Sequence, residues 1–139
     1  MEKQKIKQIP IQLKYDGQIA IATGKSRFAT SWKNRTILWS ELVQKLSQTT
    51  RTPETVTEYK KMPKTEKDRI KDVGGFVGGS LKNGRRKAEC VANRTLLTLD
   101  MDEVKGTADD LWNDIIMLND YALVMYSTHS HTPDNPRLR

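Results

Sequence analysis

The sequence has few of the residues that stabilise secreted, zinc-binding or membrane proteins. Its only cysteine is Cys90, so neither a disulfide framework nor a Cys-x-x-Cys zinc site can form. No apolar run approaches the roughly 18 residues that a membrane-spanning helix needs. The basic amino terminus lacks a following apolar region of signal-peptide length. No repeats or low-complexity segments are present. We therefore expect a protein of a reducing, cytosolic setting with no membrane partner.

Charge is the strongest signal in the composition. The 139 residues include 24 lysines and arginines against 17 aspartates and glutamates, which gives a net charge of +7 and a pI near 9.6. This balance favours a polyanionic partner, nucleic acid or nucleotide, over ordinary solvated lysines, because the basic residues cluster near the candidate site residues. The length allows one domain or part of one. The hydrophobic fraction of 36% is enough for a modest core.

Residues 96–102, Leu-Leu-Thr-Leu-Asp-Met-Asp, predict a strand. Alternation in a strand places Asp100 and Asp102 on one face, roughly 7 Å apart. The opposite face carries Leu97, Leu99 and Met101. Two carboxylates this close repel each other unless a positive charge lies between them, and Mg²⁺ or Mn²⁺ prefers such oxygen ligands. The alternative is that the acids only cap the solvated end of the strand.

The residues after Asp102 predict a helix and a second strand. Thr107 is a good N-cap with Asp110 three residues later, and apolar residues then recur at helical spacing. Residues 121–126 form an apolar run typical of a buried strand. Ligands of such strand–helix–strand units collect where the strands end. The polar residues that follow the second strand are Ser127, His129, His131, Arg137 and Arg139.

A glycine-rich segment, residues 74–81, precedes the acidic strand. Four glycines within six residues cost backbone entropy, so we expect another backbone or a ligand to approach closely there. A flat edge strand is the plainer interpretation. The next residues, 82–87, combine a tight turn with four cations: Lys82, Arg85, Arg86 and Lys87. This turn is expected either to bind a template backbone or a triphosphate, or to be a surface hairpin.

Local signals predict a hairpin and three helices in the first half of the chain. Residues 16–17 read as a hairpin turn between strands at residues 9–15 and 18–23. Ser40 is the predicted N-cap of the first helix, and Thr52 that of the second. Pro63 should end the second helix and start a third. The two tryptophans of this half, Trp32 and Trp39, are expected to be core anchors.

Two motifs resemble a known family. They are Leu-Thr-Leu-Asp-Met-Asp at residues 97–102 and Tyr-Ser-Thr-His-Ser-His-Thr-Pro-Asp-Asn-Pro-Arg-Leu-Arg at residues 126–139. With the glycine-rich segment, they resemble the primase-polymerase domain of phage and prophage replication proteins. These proteins are labelled virulence-associated protein E or phage-associated DNA primase, and they belong to the archaeo-eukaryotic primase superfamily. An Asp-x-Asp strand, a small-x-His motif and a third acid on a later strand mark that superfamily.

The resemblance implies an α/β (α+β) fold, a mixed sheet of the RNA-recognition type with packed helices. We expect one incomplete domain over residues 1–139. Its parts are an amino-terminal extension or hairpin (1–20), a part with basic helices and a glycine-rich strand (21–95), and a catalytic strand–helix–strand unit (96–139). The third acid is expected beyond residue 139, so the chain should be an amino-terminal fragment that is inactive alone.

The function implied by the resemblance is template-directed nucleotidyl transfer in phage or mobile-element DNA replication, by a two-metal mechanism. Asp100 and Asp102 would hold Mg²⁺ or Mn²⁺. Ser127, a motif histidine, and Arg137 or Arg139 would bind the triphosphate. His129 fits the small-x-His pattern literally, whereas His131, just before Thr-Pro, is the steadier match to the family pattern. The implied partners are single-stranded DNA, nucleoside triphosphates and a helicase domain of the full-length protein, in the bacterial host cytoplasm.

Two hypotheses from other classes stay open. The chain is alternatively a non-catalytic nucleic-acid-binding fragment of a replication protein, which would bind DNA without making a product. It is otherwise a metal-dependent nuclease or phosphohydrolase that combines Asp-x-Asp with His-x-His. Primer synthesis on single-stranded DNA with nucleotides and Mn²⁺ separates these hypotheses from the polymerase.

Overall fold

The computed structural model describes residues 13–118 and 120–139, without the side chain of Ile116. Three strands form an antiparallel sheet in the order β2-β1-β3, with β1 at Gln18–Gly24, β2 at Lys33–Leu38 and β3 at Gly75–Val77. The central strand β1 is covered on both faces, since the adjacent residues Ile21 and Ala22 are 3% and 0% exposed. Together with the helices, this sheet confirms the predicted α+β class.

The amino-terminal hairpin is only partly as predicted. Its return strand is confirmed as β1, but residues 13–17 form no strand, and residues 9–12 lie outside the described part. The predicted turn ties the sheet to the first helix instead. Asp16 accepts hydrogen bonds from the backbone N–H of Ser40 at 2.9 Å and from its hydroxyl at 2.5 Å. The carbonyl of Gly17 accepts one from the Trp39 N–H at 2.9 Å.

Helix α1, Trp39–Leu46, begins two residues earlier than the sequence predicted. Its N-cap is Leu38, whose N–H donates to the Glu41 carboxylate at 2.8 Å. The predicted cap Ser40 is wrong, because its hydroxyl is already bound to Asp16. Leu42 is the buried residue of this helix, at 2% exposure.

Helices α2, Val56–Lys61, and α3, Lys64–Lys71, follow. The N-cap of α2 is Thr55, not the predicted Thr52. Thr55 has a glutamate three residues later, and Glu58 completes a capping box with bonds of 2.7 and 3.2 Å. Thr52 has no acid at that spacing. The predicted break at Pro63 is confirmed, since this residue is the N-cap of α3.

The core lies under the sheet around Trp32. Trp32, Ala22 and Leu81 are buried together, at 5%, 0% and 3% exposure. The indole N–H of Trp32 donates to the Ala29 carbonyl at 3.1 Å, so burial leaves no polar atom of this side chain unpaired. Trp32 is therefore a core anchor as predicted, whereas Trp39 is partly exposed.

The glycine-rich segment lets another stretch of backbone pass close to it. A Cβ on Gly79 would lie 2.0 Å from the Asn93 carbonyl oxygen, and the φ of Gly79 is +156°. A Cβ on Gly78 would lie 2.6 Å from the Cβ of Leu96. The Thr95 N–H donates to the Gly78 carbonyl at 3.0 Å. The predicted close approach of another backbone is confirmed.

The carboxyl-terminal part differs most from the prediction. Helix α4, Ala108–Asp114, is confirmed with its Thr107 cap, and a 3₁₀ turn at Ile115–Leu118 continues it. Residues 96–102 and 121–126 are not assigned as strands. Leu97 and Leu99 are 86% and 55% exposed, so the apolar face predicted for the first strand has no covering partner among the described residues. Instead of two strands, the structure has isolated β-bridges that join Met101 and Ser127 to Leu138.

Candidate nucleotide-binding site

Three segments of the carboxyl-terminal part lie side by side, and Leu138 belongs to the middle one. Leu138 exchanges two backbone hydrogen bonds with Met101, of 2.9 and 3.0 Å. On its other side, Arg139 exchanges two bonds of 2.9 Å with Tyr126, and the Thr128 N–H donates to the Arg137 carbonyl at 2.9 Å. We call this arrangement, residues 100–102, 137–139 and 126–128, the carboxyl-terminal ladder. Its outer segments are both antiparallel to the middle one and hence parallel to each other.

The ladder fixes which side chains meet. Leu138 is 3% exposed and points into the protein. Its neighbours Arg137 and Arg139 must then point the other way, because side chains alternate along an extended segment. Asp100 and Asp102 flank Met101 in the same manner. The ladder therefore brings the two predicted acids and the two predicted arginines together on one surface.

Each acid forms an ion pair with one arginine. The Arg139 guanidinium donates two hydrogen bonds to Asp100, from Nε to Oδ1 at 2.6 Å and from Nη2 to Oδ2 at 2.8 Å. Arg137 Nη1 lies 3.4 Å from Asp102 Oδ1. Burial lowers the pKa of the Arg139 guanidinium, but its hydrogen bonds and charge interaction with Asp100 outweigh this, so the net shift is upward. The positive charge that the sequence required beside the acids is supplied here by arginine.

The two candidate histidines have different surroundings. His129 Nε2 lies 3.0 Å from the Thr52 hydroxyl and 3.5 Å from Glu54 Oε1, and its ring packs on Tyr59 at 4.8 Å between centroids. His131 instead accepts a hydrogen bond at Nδ1 from the Arg137 N–H at 3.2 Å. His131 thus supports the arginine segment directly, whereas His129 is held by the segment before α2.

Sequence reasoning missed the group that holds His129. The Glu54 side chain is only 8% exposed, and the Thr52 hydroxyl donates to it at 2.5 Å. That hydrogen bond is the main cause that lowers the pKa of the Glu54 carboxyl, against an opposing effect of burial. Tyr59 also bonds Ser130 through its hydroxyl at 3.0 Å. Thr52 and His129 are 77 residues apart, so no local pattern signals this contact.

A basic groove of about 1890 Å³ opens beside the ladder. The sheet, the residues between α1 and α2, helix α3 and residues 126–139 line it. Thirteen lysine and arginine residues and four acidic residues line it. One of the acidic residues, Asp68, is paired with Lys71 at 3.0 Å and with Arg27 at 3.7 Å. Four lysines of α2 and α3 are among its lining: Lys60, Lys64, Lys67 and Lys71.

The basic turn of residues 82–87 contributes one side chain to this groove. Arg86 lines it, with its guanidinium 5.3 Å from the centre of the Trp32 ring. Lys87 pairs with Glu89 at 3.8 Å, and Lys82 and Arg85 are exposed outside the groove lining. The turn itself is a 3₁₀ turn at Lys82–Gly84. The predicted basic turn exists, but the structure brings only Arg86 to the groove.

The described residues contain no group of three or more histidine, cysteine, aspartate or glutamate side chains placed to hold one metal ion. Asp100 and Asp102, with side chains 58% and 61% exposed, nevertheless suit Mg²⁺ or Mn²⁺ chemically. Mg²⁺ commonly takes one or two protein carboxylates and completes its shell with water and substrate phosphates. Among the residues that the structure describes, no helix is long and apolar enough to cross a bilayer.

Comparison with known proteins agrees with the resemblance in the carboxyl-terminal motifs. A family model described as the VapE N-terminal domain matches residues 3–139. Searches of curated proteins and of solved structures gave no significant match. The family match spans the sheet, the basic groove and the carboxyl-terminal ladder, and it associates the chain with phage replication. The chain belongs to the VapE N-terminal domain family.

Proposed function

We propose that this domain carries the metal- and triphosphate-binding part of a primase-polymerase active site. The observation that carries the proposal is the ladder, which places Asp100 and Asp102 against Arg137 and Arg139 at the edge of a basic groove. Acids for metal ions and arginines for phosphates are the two kinds of group that nucleotidyl transfer requires. The reaction would join an incoming nucleotide to a 3′-hydroxyl on a DNA template.

The acids would hold the metal ions. Bound at Asp100 and Asp102, Mg²⁺ or Mn²⁺ would neutralise the triphosphate and lower the pKa of the attacking hydroxyl. The ion pairs with Arg137 and Arg139 hold both carboxylates in place while no ligand is bound. The same pairs compete with a cation, so metal binding by the 139 residues alone should be weak.

The arginines would bind the triphosphate. A guanidinium fork matches phosphate oxygens as well as it matches a carboxylate, so Arg139 can exchange one partner for the other. His131 holds the backbone of Arg137 in place through its Nδ1. His129 and Ser127 line the groove next to this segment and are the further candidates for phosphate contact. The third acid of the superfamily would come from outside the described residues.

Primer synthesis tests this proposal. Single-stranded DNA, nucleoside triphosphates and Mn²⁺ are incubated with the 139-residue chain and with a chain that extends beyond Arg139. We expect primers only from the longer chain, and none after Asp100→Asn with Asp102→Asn. A matched variant, Asp109→Asn with Asp114→Asn, removes the same charge from α4 and should stay active. Primer synthesis that survives the first pair of substitutions would refute the site.

A nucleic-acid-binding module without catalysis is the second candidate, and the basic groove favours it. Thirteen cations along one groove fit a phosphate backbone whether or not chemistry follows. The same assay separates the candidates: DNA binding without product from the longer chain would support the module. Degradation of the template would instead indicate the nuclease hypothesis.

A further inference from the structure

Phe28 is a large aromatic residue that the fold leaves in solvent. Its side chain belongs to the loop between β1 and β2, and the residue is 74% exposed. Trp32, four residues later in the same loop, is 5% exposed and lies in the core. The neighbours Lys25, Arg27 and Ala29 line the basic groove, so Phe28 lies at its rim. The loop thus buries one aromatic ring and presents another.

The part of the loop that carries Phe28 is fixed. Asp72, the residue that ends α3, accepts the Ser26 hydroxyl at 2.5 Å and the Arg27 N–H at 2.7 Å. The Ser26 oxygen in turn accepts the Phe28 N–H at 3.1 Å. These hydrogen bonds, first that of Ser26, lower the pKa of the Asp72 carboxyl, so it is ionised at neutral pH. Hydrogen bonds therefore hold the backbone at Phe28 in place, so binding through this side chain would cost little conformational entropy.

A cation already lies on one side of the ring. The Arg27 guanidinium is 4.6 Å from the ring centre of Phe28. Arg27 Nη2 also lies 3.7 Å from Asp68 on α3, which restricts the guanidinium to this place. An aromatic ring with arginine on one side can take a nucleobase on its open side. Aromatic rings beside cationic grooves are the usual way in which proteins bind single strands without reading sequence.

We propose that Phe28 stacks on an unpaired base of a single-stranded DNA template whose phosphates lie along the cations of the groove. The identity of the strand as a template rests on the proposed function, whereas the stacking contact does not. Lys33 and Arg35 alternate along β2 and line the same groove, so they offer phosphate contacts beyond the loop. Phe28 supplies the part of the affinity that depends on bases, and these cations supply the part that depends on salt.

Binding of labelled oligodeoxythymidylate to the 139-residue chain, measured over a salt series, tests the contact. Phe28→Ala should weaken binding by about 5- to 150-fold, the range of one lost stacking contact, with the salt slope unchanged. Phe28→Tyr should restore it. The matched control is Tyr15→Ala, because Tyr15 is 80% exposed with Lys14 over its ring at 5.3 Å and lies outside the groove lining. Equal binding by Phe28→Ala and the parent chain would overturn the proposal, and so would equal losses in both alanine variants.

A second measurement separates stacking from charge. In Phe28→Trp, the indole emission added to that of Trp32, Trp39 and Trp112 in the parent chain should be quenched by the oligonucleotide but not by polyphosphate, which has the charge and no bases. Equal quenching by both polyanions, or quenching by neither, would contradict the stacking contact. Neither measurement needs catalysis. Phe28-dependent binding by the 139-residue chain, with no primer synthesis by the chain that extends beyond Arg139, would uphold this inference and reject the proposed function. Primer synthesis by that longer chain without any role of Phe28 would do the reverse.

Discussion

Replacing Leu138 by alanine tests whether the carboxyl-terminal ladder holds the site together. Leu138 is 3% exposed, so truncation loses nearly the whole transfer free energy of the side chain and leaves a cavity. We expect a loss of about 2–4 kcal/mol in the free energy of unfolding, since core Leu→Ala changes cost about 2–5 kcal/mol and the end of the chain can relax. Urea unfolding followed by circular dichroism measures this loss, with the denaturant dependence unchanged.

Leu97→Ala is the matched control. The substitution is chemically identical and lies in the ladder's own neighbourhood, but Leu97 is 86% exposed. Its effect should stay within about 0.5 kcal/mol, as for other surface substitutions. Amide exchange at Met101 should accelerate in Leu138→Ala and not in the control, because Met101 exchanges hydrogen bonds with Leu138. A cost for Leu97→Ala equal to that of Leu138→Ala would mean that the leucine face of residues 96–102 is buried and that the ladder is wrong.

Two further substitutions test the close approach at Gly79 and the contact between Glu54 and His129. Gly79→Ala should destabilise the domain by about 2 kcal/mol or more in thermal unfolding, because the new Cβ would lie 2.0 Å from the Asn93 carbonyl oxygen. Gly75→Ala is the control. Its Cβ would meet nothing within 4 Å, so the melting temperature should stay nearly unchanged. The second concerns Glu54, whose pKa is lowered chiefly by the Thr52 hydroxyl. A carboxyl with a lowered folded pKa contributes stability above its unfolded pKa and loses it as the pH falls through the folded pKa. In an acid titration followed by NMR, His129 should therefore lose its contact with Glu54 as the pH falls through the folded-state pKa of Glu54. Glu54→Gln should remove this transition. An identical acid transition in the variant would assign the loss of contact to another group.

Local sequence signals predicted those elements that depend on neighbouring residues. The Thr107 cap of α4 and the break at Pro63 needed only residues within one helical turn, and both are confirmed. The cap of α1 was misplaced because Ser40 donates its hydrogen bonds to Asp16, 24 residues away. A competing partner distant in sequence cannot be detected from the helix itself.

The strands predicted at residues 96–102 and 121–126 are wrong for a similar reason. An extended segment becomes a strand only when another segment pairs with it. The alternation of apolar and polar residues does not identify that pairing segment. The partner of Met101 is Leu138, within a run whose arginines were read only as phosphate ligands. The structure brings Asp100 and Asp102 beside Arg137 and Arg139, and the sequence did not predict their ion pairs. Glu54 and Thr52 reach His129 by the same kind of distant contact.

We propose that Asp100 and Asp102 form a divalent metal site at the carboxyl-terminal ladder. Paramagnetic broadening by Mn²⁺, followed residue by residue in NMR spectra of the 139-residue chain, tests it most directly. We expect broadening centred on residues 100–102 and on Leu138. This broadening should persist in Asp109→Asn with Asp114→Asn and should be lost in Asp100→Asn with Asp102→Asn. Unchanged broadening in the Asp100 and Asp102 variant, or broadening centred elsewhere, would contradict the claim.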